Sequence, residues 1–123
     1  MNNIELANSA FDAAEARDQD KFRSHFTADA RIWHNFTGAD EPAGDAISNM
    51  FAMTRAMVTV KYEDRRYVAL PDGAVLQHLS RSTLPDGREL AVPMMMRLYS
   101  RDSKICRIEE YLDTQAFAAL MHG

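Results

Sequence analysis

The chain has a single cysteine in 123 residues, and this scarcity sets the first limits on its chemistry. Because Cys106 alone forms no internal disulfide, we expect an intracellular, reducing compartment, the cytoplasm. The four histidines and the cysteine are scattered, without HxH, HExxH or CxxC spacing. Zinc sites usually show such spacing, so the sequence argues against a bound metal, and we expect no cofactor.

Long apolar runs and excess positive charge are also missing. The sequence contains no stretch of about 18 apolar residues, the length needed to span a bilayer. The N-terminal MNNIELANSAFD lacks the basic and apolar regions of a signal peptide. Lysine and arginine number 14 against 18 aspartate and glutamate, a formal net charge of −4. Nucleic acid and anionic membranes would repel such a chain, so we expect neither as a partner.

The order of predicted elements indicates one domain over residues 1–123, because no Pro/Gly/Ser-rich linker divides the chain. Apolar spacing predicts helices at 4–18, 20–26, 45–56 and 114–121, the last capped by Asp113. Two LPDG turns and the turn RDSK separate runs rich in β-branched and aromatic residues. The predicted strands are 30–36, 58–69, 74–84, 89–99 and 105–112.

Helices followed by a meander predict an α+β fold, in which the N-terminal helices pack on one face of a curved antiparallel sheet. The opposite face would be solvated or would meet a second subunit. On that face we expect Tyr62 or its neighbours, with Met95, Tyr99 and Tyr111. These side chains are aromatic and apolar enough for a subunit contact.

A carboxylate stands on the apolar face of the last predicted strand. The even positions there are Cys106, Ile108, Glu110 and Leu112. Burying a charge is costly unless the charge is paired or protonated. Glu110 is therefore a candidate acid–base group whose pKa is raised by desolvation. A buried ion pair, or a polar contact that closes the helix layer, is the structural alternative.

A histidine holds a similar position in the strand at 30–36. The even positions of this strand are Ala30, Ile32, His34 and Phe36. Alternation directs His34 inward and directs Trp33 and Asn35 outward. An isolated histidine on an apolar face is more often a core residue than a catalyst. Glu110 on another inward face favours catalysis, since a histidine and a carboxyl group in one apolar pocket commonly transfer protons near neutral pH.

The remaining candidates are residues that could contact a ligand. Met94 and Met96 either fill the core or form a wall that adapts to varied apolar molecules. His78 lies in a strand with two mixed faces, so its direction is open, and His25 is predicted on a helix surface. The predicted ligand contacts are Ile32, Phe36, His78, Met94, Met96, Ile108 and Leu112.

Two stretches resemble the nuclear transport factor 2-like (NTF2-like) superfamily. They are HFTADARIWHNF at 25–36 and KICRIEEYLDTQAF at 104–117, with the LPDG meander between them. Within the superfamily, the chain is similar to SnoaL-like polyketide cyclases, ketosteroid isomerases and limonene-epoxide hydrolases. The resemblance implies a cone-shaped, cystatin-like fold, with three helices closing over a bent sheet around a pocket. It also implies a homodimer formed through the sheet.

The resemblance implies counterparts for some functional residues of the related enzymes and not for others. His34 falls where ketosteroid isomerases carry their aspartate base, but the two oxyanion donors of those enzymes fall on Ala10 and Met94. The last-strand aspartate of limonene-epoxide hydrolases matches Glu110. The acid–base residue of the polyketide cyclases matches either Glu110 or Asp113. Steroid-type enolisation by the isomerase mechanism is therefore not implied.

Together, the residues and the resemblance predict a small cofactor-independent isomerase, cyclase or lyase. Its substrate would be an apolar, carbonyl-bearing small molecule. His34 would remove or relay a proton, and Glu110 would act as the complementary acid or would orient His34. Two alternatives remain open: a non-catalytic module that holds a small hydrophobic ligand, and a dimeric interaction domain without a ligand.

Overall fold

The computed structural model describes the backbone of residues 1–122 and the side chains of residues 1–119. The helices are α1 (Asn3–Glu15), α2 (Gln19–Arg23), α3 (Ala43–Arg55) and α4 (Thr114–His122). The strands are β1 (Phe26–His34), β2 (Asp40–Pro42), β3 (Thr59–Leu70), β4 (Gly73–Thr83), β5 (Glu89–Arg101) and β6 (Lys104–Leu112). Every predicted element is present with shifted ends, and β2 is an addition that the sequence did not indicate.

All six strands form one curved sheet in the order β2-β1-β6-β5-β4-β3. The predicted α+β fold is confirmed. Neighbouring strands are antiparallel apart from β1 and β6, which run parallel. This parallel pair joins the first long strand to the last one. In its register His34 stands directly beside Glu110.

The helices pack against the inner face of the sheet. The first helix begins at Asn3 because the Asn2 side chain accepts a hydrogen bond from the Glu5 backbone, while the Glu5 carboxylate accepts one from the Asn2 backbone. Phe22 packs edge-on against both Phe11 and Phe51, with ring centroids 6.0 and 5.6 Å apart. These three buried rings link α1, α2 and α3 into one layer above the sheet.

Two of the tight turns depend on unusual backbone angles. At the end of the first LPDG turn, a Cβ on Gly73 would lie 1.9 Å from the Leu98 carbonyl oxygen, so only glycine fits there. In the turn between β5 and β6, Asp102 and Ser103 have φ angles of 54° and 62°. Positive φ at both central residues is typical of type I′ hairpin turns, whose twist matches that of the strands.

Three residues depart from their predicted environments. Tyr62 lies on the inner face and is 7% exposed, because β3 alternates inward from Val60. His25 is buried, since its ring bonds to the Ser9 hydroxyl and the Lys21 carbonyl. Cys106 stands at an irregularity in the β5–β6 pairing that turns Ile105 into the core in its place. The predictions for these three residues were therefore wrong.

The outer face of the sheet carries exposed apolar side chains. Met95 and Tyr111 are 45% and 53% exposed, in agreement with the strand alternation. The Trp33 ring lies 5.1 Å from that of Tyr111. A homodimer through this face stays a prediction. Within residues 1–122, no helix is both long and apolar enough to cross a membrane.

Candidate functional site

A cavity of about 380 Å³ lies between the inner face of the sheet and the helices. Its volume falls in the range of small-molecule sites. Eight of the residues predicted from the sequence line it together: Ile32, His34, Phe36, Met94, Met96, Ile108, Glu110 and Leu112. The structure therefore brings the two predicted acid–base residues and most of the predicted ligand contacts around one space.

His34 and Glu110 form a close pair in the cavity wall. The distance between His34 Nε2 and Glu110 Oε1 is 3.4 Å, and the side chains are 16% and 15% exposed. This separation is slightly longer than a usual N–H···O hydrogen bond. Catalytic hydrogen bonds are often long without substrate and tighten when it binds. The pair is therefore placed to share a proton after a small movement of either side chain.

Burial shifts the acidity of both members of this pair. It raises the pKa of Glu110 to about 7, and it lowers the pKa of His34 from the usual 6.5. The physical cause is the same, because removing water disfavours whichever form is charged. At pH 7 the Glu110 carboxyl group is therefore about half protonated, and the His34 imidazole is mostly neutral.

Charge in the cavity is otherwise sparse. Among the described lining residues there is no lysine or arginine, and the carboxylates are Glu41 and Glu110. Among the described side chains of residues 1–119, no group of three His, Cys, Asp or Glu residues forms a site for a metal ion. An anionic ligand would find no fixed positive partner in this space. The cavity therefore suits a neutral molecule.

Asn35 fixes the register of the strands that carry the pair. Its side-chain amide donates to the Leu112 carbonyl and accepts from the Leu112 N–H, both at 3.1 Å. Its own backbone N–H donates to the Glu110 carbonyl at 3.0 Å. These bonds continue the β1–β6 ladder beyond His34, where the strand ends. Asn35 therefore holds the backbones of His34 and Glu110 side by side.

Aromatic rings continue the cavity wall beyond the end of β1. Phe36 lies in the following turn, with its ring 4.7 Å from that of His34 and 4.5 Å from that of Phe117. It is 38% exposed and also lines the cavity, so it stands where the cavity meets the surface. The sequence pattern extended β1 through Phe36, whereas the strand ends two residues earlier.

Several lining residues were not foreseen from the sequence. Helix α3 and the turn after it contribute Met50, Met53 and Met57. The spacing of Met50 and Met53, one turn apart on a helix, could have indicated the first two. Tyr62, Ser80 and Ser82 also line the cavity. The two serines were hidden because polar residues on the inner face of β4 obscure its alternation.

His78 is the one predicted ligand contact outside the cavity lining. It points inward from β4, is 4% exposed, and lies between the rings of Phe11 and Tyr62 at centroid distances of 5.1 and 5.4 Å. Among the described residues, neither of its ring nitrogens has a hydrogen-bond partner. Burial, assisted by the positive charge of Arg65, lowers its pKa to about 4.

Comparison with known proteins gives the chain a family. The SnoaL-like domain profile matches residues 7–108. No curated protein matches the sequence. Among solved structures, TerC co-crystallised with polyporic acid is 20% identical and covers 98% of each chain, with a TM-score of 0.83. A proposed polyketide cyclase from Pseudomonas putida has the same identity, coverage and TM-score.

A third solved structure defines the fold. An NTF2-like protein of unknown function from Burkholderia pseudomallei is 15% identical, covers 100% of this chain and 99% of its own, and has a TM-score of 0.84. At such low identities the likeness establishes an NTF2-like architecture. The profile match extends from α1 into β6 and includes His34, and it ends two residues before Glu110. The chain therefore belongs to the SnoaL-like domain family.

Proposed function

We propose that this protein is a small cofactor-independent acid–base enzyme of the isomerase, cyclase or lyase type. Its substrate is an apolar, carbonyl-bearing small molecule that binds in the cavity. The observation that carries the proposal is the His34–Glu110 pair, 3.4 Å apart in the wall of a mostly apolar cavity. Two structural relatives, TerC with polyporic acid and a proposed polyketide cyclase, are linked by their names to small organic molecules.

In the proposed reaction, the pair moves one proton. Neutral His34 accepts a proton from the carbon next to the substrate carbonyl, and the bonding electrons pass into an enolate. Glu110 donates its own proton to the enolate. Return of a proton to the same carbon, or to a different one, completes the exchange or isomerisation. Both the acceptor and the donor are side chains, so no cofactor enters this step.

Proton exchange can be measured without knowing the natural substrate. In heavy water, we expect the protein to catalyse deuterium incorporation at the acidic carbon of 2-tetralone, an apolar ketone, as followed by proton NMR. His34→Ala and Glu110→Gln should each lower the rate by ~10²–10⁴-fold, the usual contribution of general acid–base catalysis. The matched control is Glu109→Gln, because Glu109 is adjacent in sequence but bonds to Tyr99 and Arg107.

The pH dependence of the same exchange tests the assigned roles. The rate should fall below the lowered pKa of His34, where the imidazole is protonated. It should also fall above about 7, where Glu110 loses its proton. The profile should therefore be a narrow bell whose limbs belong to the coupled pair. Glu110→Gln should remove the alkaline limb, and full activity in either pair variant would exclude that residue from the mechanism.

A binding module for a small hydrophobic ligand is the second candidate. It is favoured by the lining, in which five methionines form adaptable apolar walls. Under this alternative, a ligand would copurify unchanged in native mass spectrometry, 2-tetralone would show no catalysed exchange, and ligand retention would survive His34→Ala.

A further inference from the structure

The cavity has a second polar wall, on strands other than those that carry the His34–Glu110 pair. It consists of Tyr62 on β3 and of Ser80 and Ser82 on β4, which are 7%, 8% and 6% exposed. Tyr62 and Ser80 are directly opposite each other in the β3–β4 register. Side chains so paired have their Cβ atoms about 4.5–5.5 Å apart. Three hydroxyl groups are thus concentrated on one patch of an apolar surface.

None of these three hydroxyl groups is engaged with the described part of the chain. The backbone of Tyr62 is tied down, since its N–H donates to Glu15 and its carbonyl accepts from Arg65. Its phenol has no such partner, and neither serine hydroxyl bonds to a described residue. The enclosed side-chain nitrogen and oxygen atoms without a partner in the described chain are both on His78, so these three hydroxyl oxygens are accessible from the cavity. Here the three line a cavity, so a molecule in that cavity is their available partner.

The placement of the two polar walls defines the shape of a suitable ligand. His34 and Glu110 lie on β1 and β6, whereas the hydroxyl wall lies on β3 and β4. Strand β5 separates them and contributes Val92, Met94 and Met96 to the lining. A bound molecule that reaches from one wall to the other would rest its middle on this apolar strip. It would present one polar group at each end.

We propose that Tyr62, Ser80 and Ser82 form a second subsite, which binds a neutral hydroxyl or carbonyl oxygen at the far end of a flat apolar ligand. The proposal rests on the proposed function in one respect, namely that the reacting end lies at His34 and Glu110. A neutral oxygen is specified because no lysine or arginine lines the cavity among the described residues. Burial raises the pKa of Tyr62, so its phenol remains a donor at every physiological pH.

Binding of three naphthalene probes tests the subsite by isothermal titration calorimetry. They are 2-naphthol, 2,6-dihydroxynaphthalene and 2-naphthoate. The second hydroxyl group should tighten binding to the wild-type protein by about 3–10-fold, the effect of one net hydrogen bond. Tyr62→Phe and Ser80→Ala should each reduce or abolish this difference between the diol and 2-naphthol. Tyr67→Phe is the matched control, because the Tyr67 phenol on the same strand bonds to Asn8.

Four outcomes would overturn the subsite. In the wild type, these are failure of the diol to bind, equal affinity for the diol and 2-naphthol, and tighter binding of 2-naphthoate than of 2-naphthol. The fourth is a Tyr62→Phe variant in which the affinity difference between the diol and 2-naphthol is the same as in the wild type. Because Tyr62→Phe removes an unbonded hydroxyl, its far-ultraviolet circular dichroism should match that of the wild type. If the diol binds more tightly than 2-naphthol but the protein does not catalyse 2-tetralone exchange, only the proposed catalysis is refuted. If exchange is catalysed but the diol and 2-naphthol bind equally well, only the subsite is refuted.

Discussion

Replacing His78 with leucine should stabilise the protein in acid, because this imidazole is buried with neither nitrogen bonded to the described chain. An unsatisfied buried polar group costs about 1–3 kcal/mol. Leucine removes that cost but loses the ring contacts with Phe11 and with Tyr62, each of which contributes about 0.5–1.5 kcal/mol. At neutral pH these effects are of similar size and roughly cancel in the free energy of unfolding.

Acid should favour the leucine variant, because the pKa of His78 is about 4 in the folded protein against 6.5 for a free histidine. Between these values the unfolded chain binds more protons, so wild-type stability falls as the pH falls. One pKa unit corresponds to about 1.4 kcal/mol, so the loss attributable to His78 between pH 7 and pH 4.5 is about 2 kcal/mol. The leucine variant avoids this loss. Its advantage in the free energy of unfolding should grow from about zero to roughly 2 kcal/mol.

The measurement is urea unfolding of both proteins near pH 7 and pH 4.5, followed by the fluorescence of Trp33, the single tryptophan. Glu110 acts in the opposite sense: its raised pKa gives stability that is present below 4.5 and is lost as the pH rises through about 7. Subtracting the wild type at each pH cancels this contribution. A packing misfit of leucine would be equal at both pH values, and His78→Met checks for it. A stability difference independent of pH would refute the reasoning.

Two further predictions concern the backbone. Gly73→Ala should destabilise the protein by about 2–6 kcal/mol in thermal or urea unfolding, because the new Cβ would overlap the Leu98 carbonyl. Gly87→Ala is the control, because open space surrounds Gly87, and it should lower the free energy of unfolding by only about 1 kcal/mol. Equal losses of stability in the two variants would contradict this explanation. Asn35→Ala should leave a folded protein whose 2-tetralone exchange falls at least about tenfold, since small misplacements of catalytic groups have large effects. Wild-type exchange in that variant would show that the pair does not depend on Asn35.

Much of the fold could be predicted because local patterns and global packing agree. Alternation in β5 and β6 placed Met96, Ile108 and Glu110 on the inner face, where they are found. Turn residues with restricted or permissive backbone angles located the hairpins. Alternation also separated His34 from Trp33, which packs against Tyr111 on the other face. These signals are local, so they persist in a single sequence.

Local sequence patterns gave wrong predictions where strand pairing is irregular or where a residue's partner is distant in the sequence. The irregular pairing of β5 with β6 near Cys106 directs Ile105, rather than Cys106, into the core, and no local pattern marks such a shift. His25 is buried because Ser9 on another helix bonds to its ring. The methionines of α3 were readable as helical core residues, but only the depth of the cavity beneath them made them ligand contacts.

The direction of His34 and Glu110 toward an apolar interior could be predicted from the sequence, because alternation along a strand is a property of the backbone. Their contact with each other could not, because it depends on which strands pair. A parallel pairing of β1 with β6, closed by Asn35, sets their side chains 3.4 Å apart. The same holds for the hydroxyl wall, since Tyr62 and Ser80 become neighbours through the register of β3 and β4. Contacts between distant strands depend on how the whole sheet assembles, and no short stretch of sequence encodes that.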